Sequence, residues 1–374
     1  MSSTLVIKIG TSSLTKPHTG ELHLSAIAKL VETIVHLKKQ NHAIILVSSG
    51  AVGVGCTRLG MTARPQQLAL KQAIAAVGQS RLMRIYDDLF ANFNQPVAQI
   101  LLNRQNFINR QQYNNIKATF RELLNLGVVA IVNENDTVST DELKFGDNDT
   151  LSALVASSLQ SDYLFILTDV EYLYSDDPRR NPSAQPISQL TFQELQLLEQ
   201  KMNQQQLEAK GGSQWGTGGM LTKLTAAKIA AVAGVKTVIL KGEQPDRILE
   251  ILAGKPCGTH FLPATQTVTA RKHWIAYAMV PLGKVYLDRG AEIAIVQHGK
   301  SLLPAGITKV DGKFEAGDVI SLVNQEGKEL ARGISNYADH EVIKLLGCHS
   351  TEIPERLGYM GTETIVHRDD LVLV

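Results

Sequence analysis

Residues 128–149, VVAIVNENDTVSTDELKFGDND, carry the clearest indication of the fold. The first five form an apolar run that predicts a buried strand. After residue 149 the apolar side chains recur at helical spacing, at Leu151, Leu154, Val155 and Leu159. Acidic residues and asparagines fill the crossover between this strand and this helix. α/β enzymes bind ligands at such crossovers, outside the carboxyl ends of their strands, so we favour a ligand site over a solvated loop with a helix cap.

The composition is that of an ordinary globular protein, large enough for two or more domains. The chain has 374 residues, of which 44% are hydrophobic and 20% charged. A formal net charge of +1 gives no general attraction to nucleic acids or anionic membranes. Three scattered cysteines without a CxxC pair indicate reduced thiols. The first ten residues lack a secretory pattern and no apolar run reaches about 18 residues, so we expect a soluble cytoplasmic protein.

The first two thirds of the chain alternate apolar runs with segments of helical spacing. Such runs suit strands covered on both faces, so we predict a mainly parallel sheet in a three-layer α/β/α sandwich. The predicted strands are Leu5–Ile9, Ala43–Val47, Val97–Leu102, Val128–Val132, Tyr163–Leu167 and Thr237–Leu240. The predicted helices include segments within 27–37, 66–92, 113–124, 190–206 and 221–233.

The pattern changes after about Gly254, where a Pro- and Thr-containing connector precedes short runs separated by turns. We predict a catalytic domain at 1–258, a linker at 259–274 and a small barrel-like or sandwich-like β domain at 275–374. The strands predicted in the β domain are Lys284–Leu287, Ile293–Val296, Val319–Val323 and Ile365–His367, with turns at Asp311-Gly312, Asn324 to Gly327 and Arg332-Gly333.

Two strand ends carry residues that suit an anion. Lys8 stands in an apolar strand followed by Gly10, where a charge is costly unless it meets an opposite charge. It either reaches a phosphate over the sheet edge or extends to water. The segment 48–55, SSGAVGVG, follows the next strand and does not have the GxGxxG register of a nicotinamide site. Ser49 offers a hydroxyl and an amide to a carboxylate or phosphate, and a plain tight turn is an equal alternative.

Two further segments suit a nucleotide. Thr168 and Asp169 follow a predicted strand, where a ribose or adenine can be held, although a helix cap also explains Asp169. The segment 216–223, GTGGMLTK, enters a helix with Lys223 in its first turn. It is not a P-loop, but glycine amides, a helix N-terminus and a lysine together bind phosphate. A flexible glycine-rich surface loop is the competing interpretation.

Together these segments favour phosphoryl transfer. Lysines suit the oxygens of a migrating phosphoryl group, and carboxylates suit Mg²⁺ or an ammonium group. The sequence presents no convincing Ser-His-Asp or Cys-His arrangement, and its ten histidines have no HExxH spacing.

The motifs KIGTSSL, VSSGAVGVG, NENDTVSTDELKFGDND, LTDVEYLY and GTGGMLTK occur in the order found in the amino acid kinase family, which the chain resembles. The segments GTHFLP and SLLPAGITKVDGKFEAGDVI resemble those members that carry a C-terminal PUA domain (named for pseudouridine synthase and archaeosine transglycosylase). The resemblance covers essentially the whole chain. It implies ATP-dependent phosphorylation of the γ-carboxylate of L-glutamate to L-glutamyl 5-phosphate, the first step of proline synthesis. A kinase for acetylglutamate or aspartate is the alternative.

The resemblance also implies a role for each matching residue. Lys8 and Lys223 would neutralise the transferring phosphoryl group, and Asp149 would orient both lysines. The residues that would bind ATP are Lys8, Thr168, Asp169, Thr217, Gly218, Gly219, Met220, Leu221, Thr222 and Lys223. Mg²⁺ would be required.

On the acceptor side, the resemblance implies that Ser49, Asp136 and Asn148 hold glutamate. Thr137 to Phe145 have no assigned contact, and a response to proline or a subunit contact is expected there. The resemblance implies feedback inhibition by proline and a homo-oligomer, either a dimer or a tetramer. It also suggests transfer of the product to glutamate-5-semialdehyde dehydrogenase.

PUA domains in other proteins bind RNA, which is a separate hypothesis for the C-terminal region. From Arg271 to Val374 there are 12 Lys plus Arg and 14 Asp plus Glu, a net charge of −2. RNA-binding domains usually present a basic face. Lys300, Lys309 and Lys313 are candidates for a local patch, but we expect an architectural or regulatory module.

Overall fold

The structure is a computed structural model that describes residues 2–15, 21–61, 65–139, 148–176, 181, 183–208, 217–264 and 281–373. The chain divides into two compact units, Met1–Thr267 and Val268–Val374. All three cysteines are free thiols. None of the described helices combines the length and the hydropathy that a bilayer-spanning segment requires.

The first unit is built on an eight-stranded sheet. In chain order, its strands and those of a small accessory sheet are β1 (Thr4–Ile9), β2 (Ala43–Val47), β3 (Val97–Leu102), β4 (Val129–Glu134), β5 (Tyr163–Thr168), β6 (Leu173–Tyr174), β7 (Pro186–Ile187), β8 (Gln189–Leu190), β9 (Lys236–Lys241) and β10 (Thr259–Phe261). The main sheet has the order β3-β4-β2-β1-β5-β9-β10-β8, and β6 pairs with β7. All neighbours in the main sheet are parallel except β9 and β10.

Helices cover this sheet. Those described are α1 (Thr11–Leu14), α2 (Leu24–Lys39), α3 (Ala51–Arg58), α4 (Leu68–Ala91), α5 (Arg104–Ile108), α6 (Arg110–Asn125), α7 (Asn148–Leu159), α8 (Phe192–Glu208), α9 (Thr217–Val232) and α10 (Arg247–Leu252). Along α2, the apolar residues Ile27, Leu30 and Ile34 are fully buried and join the strands in one core. In α7, by contrast, nearly every side chain is buried, which indicates a helix covered all round.

The six strands predicted for the first unit are confirmed, with each end within two residues of its predicted position. The predicted linker, however, begins too early. Thr259–Phe261 form β10, which pairs antiparallel with β9. The Thr259 hydroxyl also donates to the carbonyl of Ile187 at 2.5 Å, so this segment belongs to the first unit. Residues 265–274 of the predicted linker lie outside the described residues.

The second unit contains a five-stranded mixed sheet. Its strands are β11 (Gly283–Leu287), β12 (Ile307–Gly312), β13 (Val319–Val323), β14 (Glu329–Ile334) and β15 (Leu371–Leu373). The order is β12-β11-β13-β14-β15, in which β11 and β13 are parallel. Its described residues form the α-helices α11 (Arg289–Val296), α12 (Asp339–Lys344) and α13 (Ile353–Leu357). A separate core that includes Val285, Ile320 and Tyr337 stabilises this unit.

One predicted strand of this unit, Ile293–Val296, is wrong because it forms the second half of α11. Asp288 precedes that helix and accepts a hydrogen bond from the backbone amide of Ala291 at 2.7 Å, which is an N-cap. A short apolar run does not distinguish a strand from a helix, and here the N-cap at Asp288 favours the helix.

Two other predictions in this unit also fail. In Ile365–His367, Val366 makes an isolated bridge to Leu302, and the chain then enters a 3-10 turn that the His367 side chain caps. The predicted turn at Arg332-Gly333 lies inside β14. A Cβ atom on Gly333 would lie 2.3 Å from a methyl carbon of Val366, so close packing, not a turn, requires this glycine.

Candidate active site

Two lysines meet one carboxylate at the centre of the first unit. Asp149 Oδ1 lies 2.5 Å from Lys8 Nζ, and its Oδ2 lies 3.1 Å from Lys223 Nζ. We call these three residues the lysine–aspartate cluster. Asp149 is 0% exposed, Lys8 4% and Lys223 9%. Lys8 therefore does not extend to water, because burial of a charge is tolerated when an opposite charge pairs with it.

The elements that carry the lysine–aspartate cluster explain its position. Lys8 lies near the carboxyl end of β1, whose neighbours β2 and β5 place it in the middle of the sheet. Asp149 lies in the first turn of α7, where the helix N-terminus has a partial positive charge that stabilises a carboxylate. One carboxylate faces two ammonium groups, so the cluster has a net positive charge and attracts an anion.

The first two turns of α9 fix Lys223, which is the seventh residue of this helix and not, as predicted, in its first turn. Its Nζ donates to the carbonyl of Gly219 at 2.9 Å as well as to Asp149. The hydroxyl of Thr222 lies 3.1 Å from the same Asp149 oxygen and 2.9 Å from the Gly219 carbonyl. Met220 and Leu221 are half-buried in the same part of the helix. Gly216, the Thr217 side chain and the exposure of Gly218 lie outside what the structure describes.

A second group of polar residues adjoins the cluster. Asn148, next to Asp149, donates through Nδ2 to the Ser48 carbonyl at 2.6 Å, to Asn133 Oδ1 at 2.7 Å and to Ser49 Oγ at 3.1 Å. Ser48 and Ser49 follow β2, and Asn133 lies near the end of β4. The ends of two parallel strands and the first turn of α7 thus meet in one group of hydrogen-bonded polar residues, which we call the acceptor pocket.

Asp136 lies just beyond this pocket, half-buried in the turn after β4. Around it the Thr137 hydroxyl donates to Asn135 Oδ1 at 2.7 Å, and the Val138 amide donates to the Asn135 carbonyl at 3.2 Å. Residues 140–147, to which most of the unassigned middle of this loop belongs, lie outside the described part of the chain.

The ends of β1, β5 and β9 form the other side of the site. Thr168, buried at the end of β5, lies 2.9 Å through its hydroxyl from Oδ1 of the exposed Asp169. The Gly10 amide donates to the Leu167 carbonyl at 3.2 Å, and the Gly242 amide donates to the Thr168 carbonyl at 2.7 Å. The parallel pairing of β1 and β5 thus brings Thr168 to the same sheet edge as Lys8.

Two close helix contacts shape the acceptor side. A Cβ atom on Gly55 would lie 2.1 Å from the Ile74 carbonyl oxygen, and one on Gly78 would lie 1.8 Å from the Ala51 carbonyl oxygen. These glycines let α3 and α4 cross in backbone contact. As a result α4 comes close to the strand ends of the acceptor pocket.

Sequence reasoning missed the residues that α4 contributes. Gln79 Oε1 accepts from Asn133 Nδ2 at 2.7 Å, and the hydroxyls of Tyr86 and Ser48 lie 3.0 Å apart. Burial raises the pKa of the Tyr86 phenol, so it is a neutral hydrogen-bonding group. Gln72, Gln79 and Tyr86 are seven residues apart in the sequence, which places them on one helix face, and this spacing could have identified them.

No group of three metal-binding side chains occurs within the described residues. Both oxygens of Asp149 face ammonium groups, so this carboxylate does not fit a metal ligand. The arrangement suits an anionic ligand that brings its own counter-ion.

A parallel α/β domain with a buried two-lysine anion site beside a polar acceptor pocket defines a phosphotransferase of the α/β type. The family model described as the amino acid kinase family matches residues 3–241, and the PUA domain model matches residues 283–357. The glutamate 5-kinases of Trichormus variabilis and Cyanothece sp. are 58% and 59% identical to the chain, and each alignment covers 100% of both chains. The chain belongs to the amino acid kinase family, and these full-length relatives place it among the glutamate 5-kinases.

A solved structure shares the fold of this chain. The carbamate kinase of Giardia lamblia, solved with AMP-PNP, superposes with a TM-score of 0.51 and 19% sequence identity. The alignment covers 70% of this chain and 99% of the carbamate kinase. A coverage of 70% is expected when the neighbour has no counterpart of the second unit. The α/β/α fold predicted from the sequence is thereby confirmed.

Proposed function

We propose that the chain transfers the γ-phosphoryl group of ATP to the γ-carboxylate of L-glutamate, giving ADP and L-glutamyl 5-phosphate in the first step of proline synthesis. One observation carries the proposal. Asn148 in the acceptor pocket and Asp149 in the lysine–aspartate cluster are adjacent in the first turn of α7. An acceptor held by the first residue is therefore next to the lysines held by the second. The names of the full-length relatives support glutamate as that acceptor.

The reaction requires the protein mainly to position the two substrates and to supply positive charge. A glutamate side-chain carboxyl has a pKa near 4.3 and is ionised at neutral pH, so the nucleophile needs no general base. The main barrier is repulsion between the carboxylate and the anionic phosphates of ATP. Lys8 and Lys223 offset it on the transferring phosphoryl oxygens, while Asp149 holds both ammonium groups in place.

The nucleotide lies, in this proposal, across the ends of β1, β5 and β9. Thr168 and Asp169 bind its nucleoside part, and the start of α9 binds its phosphates. The helix N-terminus and Lys223 present positive charge there. The complete set of ATP-binding residues that we propose is Lys8, Thr168, Asp169, Thr217, Gly218, Gly219, Met220, Leu221, Thr222 and Lys223.

Mg²⁺ enters with ATP as part of the substrate. Mg²⁺ keeps several waters and commonly binds through substrate phosphates, not in an all-protein cage. The engagement of both Asp149 oxygens by lysines is consistent with a metal held by the nucleotide.

Ser49, Asp136 and Asn148 hold the amino acid, with Asp136 paired to the substrate ammonium group. The Asp136→Asn substitution removes the charge but keeps the size of the side chain. We expect the glutamate KM to rise much more than the ATP KM, because only glutamate carries the ammonium group. Equal increases in both would remove Asp136 from this role.

The proposal extends to regulation and partners. Proline, which shares the ammonium and carboxylate groups of glutamate, would compete in the acceptor pocket, and the protein would act as a homo-oligomer in the cytoplasm. L-glutamyl 5-phosphate is a reactive acyl phosphate, which favours direct transfer to glutamate-5-semialdehyde dehydrogenase before water reacts with it. The second unit serves an architectural or regulatory role without RNA binding.

A hydroxamate assay tests the function directly, because hydroxylamine traps an acyl phosphate as it forms. The wild-type protein is given MgATP with glutamate, acetylglutamate or aspartate, each with and without proline. We expect turnover with glutamate and its inhibition by proline. Faster turnover with acetylglutamate or aspartate would overturn the assignment of the acceptor.

A further inference from the structure

Helix α4 presents one polar stripe to the acceptor side of the site. Gln72, Gln79 and Tyr86 are seven residues apart, which is close to two helical turns, so they share one face. The Gln72 amide donates to the Ser139 carbonyl at 3.0 Å, beyond the end of β4. Gln79 contacts Asn133, and Tyr86 contacts Ser48. One helix thus holds three segments that follow or end strands around the acceptor pocket.

Two contacts with backbone groups identify the oxygen and the nitrogen of the side-chain amides in this network. The Glu134 backbone amide donates to the Asn133 side chain at 2.9 Å, so the atom it meets is the oxygen Oδ1. Asn133 Nδ2 must then lie on the other side, where it donates to Gln79 Oε1 at 2.7 Å. The Ser48 carbonyl, which can only accept, requires Nδ2 of Asn148 in the same way.

This orientation decides what Asn148 offers to a ligand. Its two amide hydrogens are directed to the Ser48 carbonyl at 2.6 Å and to Asn133 Oδ1 at 2.7 Å. The amide therefore offers an acceptor, Oδ1, to whatever occupies the pocket. A donor group such as a protonated amine matches it, and a carboxylate does not.

We propose that Gln79 is a positioning residue of the acceptor pocket, and that it acts through Asn133 to keep the Asn148 oxygen directed at the ammonium group of an amino acid. This inference rests on the proposed function, since it specifies how that substrate is bound. Gln79 belongs to α4 and has no role assigned from the matching motifs. Its contribution is one acceptor atom at the end of a chain of three side-chain amides.

Two substitutions of similar size separate this role from packing. Gln79→Glu keeps an acceptor for Asn133 Nδ2, whereas Gln79→Met removes it and leaves a donor without its partner. We expect Gln79→Met to raise the glutamate KM about tenfold, with the ATP KM and kcat within about twofold of wild type. Gln79→Glu should keep a glutamate KM within about twofold. Arg81→Met, at an exposed position of the same helix, is the control for a new methionine.

The outcomes distinguish the possibilities. A loss of kcat at unchanged glutamate KM, or equal defects in Gln79→Glu and Gln79→Met, would mean that Gln79 only supports the fold and would overturn the proposal. Wild-type kinetics in Gln79→Met would do the same. If the wild-type protein itself did not turn over glutamate, the proposed function would fail. Crystal structures of the wild type and of Gln79→Met would then test the hydrogen-bond network on its own. Asn133 and Asn148 amides that keep their orientation in Gln79→Met would refute the positioning role independently of any substrate.

Discussion

The Asp149→Asn substitution gives the sharpest test of the lysine–aspartate cluster. In the wild-type protein a fully buried carboxylate faces Lys8 at 2.5 Å and Lys223 at 3.1 Å. An amide of the same shape leaves two neighbouring ammonium groups without a counter-charge. Removal of one partner from a buried ion pair costs about 3–5 kcal/mol, so we expect the free energy of unfolding to fall by about that amount. Urea denaturation measures this loss, with the exposed Asp88→Asn as the control.

The same substitution should separate catalysis from stability. Without Asp149 the two lysines repel each other and leave their positions, and a displacement of about 1 Å can lower turnover about 100-fold. ATP should stabilise the variant more than the wild type, because its phosphates supply the missing negative charge. An unfolding free energy within about 0.5 kcal/mol of wild type, together with kcat within about fivefold, would refute the role of the carboxylate.

Three further predictions concern other parts of the molecule. Gly55→Ala should lower stability in thermal unfolding by about 1–3 kcal/mol, because the new Cβ atom would lie 2.1 Å from a backbone oxygen, whereas Gly53→Ala in the same helix has its nearest neighbour at 3.9 Å and should be neutral or stabilising. Lys223→Ala should abolish kcat while glutamate binding, measured by calorimetry, stays close to wild type; a near-normal kcat would exclude Lys223 from the reaction. Burial raises the pKa of Glu329, but hydrogen bonds from Arg332 and Ser321, together with the positive charges of Arg332 and Lys284, outweigh it, so the pKa in the folded state lies below the unfolded value. Ionised Glu329 therefore stabilises the second unit above about pH 4.3, and the difference in Tm between wild type and Glu329→Gln should disappear as the pH falls below that value.

The sequence was sufficient for the main sheet because its strands are buried on both faces. A continuous apolar run such as Ile44–Val47 allows few other structures in a chain of this size. The short strand β10 was missed because three residues beside a proline-containing connector carry no pattern of their own. Its place in the sheet comes from hydrogen bonds with β9 on one side and β8 on the other, both of which precede it in the sequence.

The candidate site was predictable where a charged side chain stands in an apolar segment of the sequence. Lys8 in an apolar strand needs an opposite charge, and the structure supplies Asp149. The pairing itself was beyond sequence reasoning from charge alone, since several acidic residues share that loop. Gln79 and Tyr86 were missed for a different reason. Polar residues on a long helix usually face solvent, and only the crossing of α3 and α4 turns these two toward strand ends.

The origin of the lysine–aspartate cluster has a consequence for how the protein matures. Its members come from the first strand, from α7 and from α9, and the Asp149–Lys223 hydrogen bond alone spans 74 residues. Contacts between such distant segments form late, since the intervening chain must close first. A chain emerging from the ribosome therefore has no catalytic centre until α9 has been released and has docked. Recovered activity in a refolding experiment is, for the same reason, a measure of complete folding of the first unit and not of its early strands.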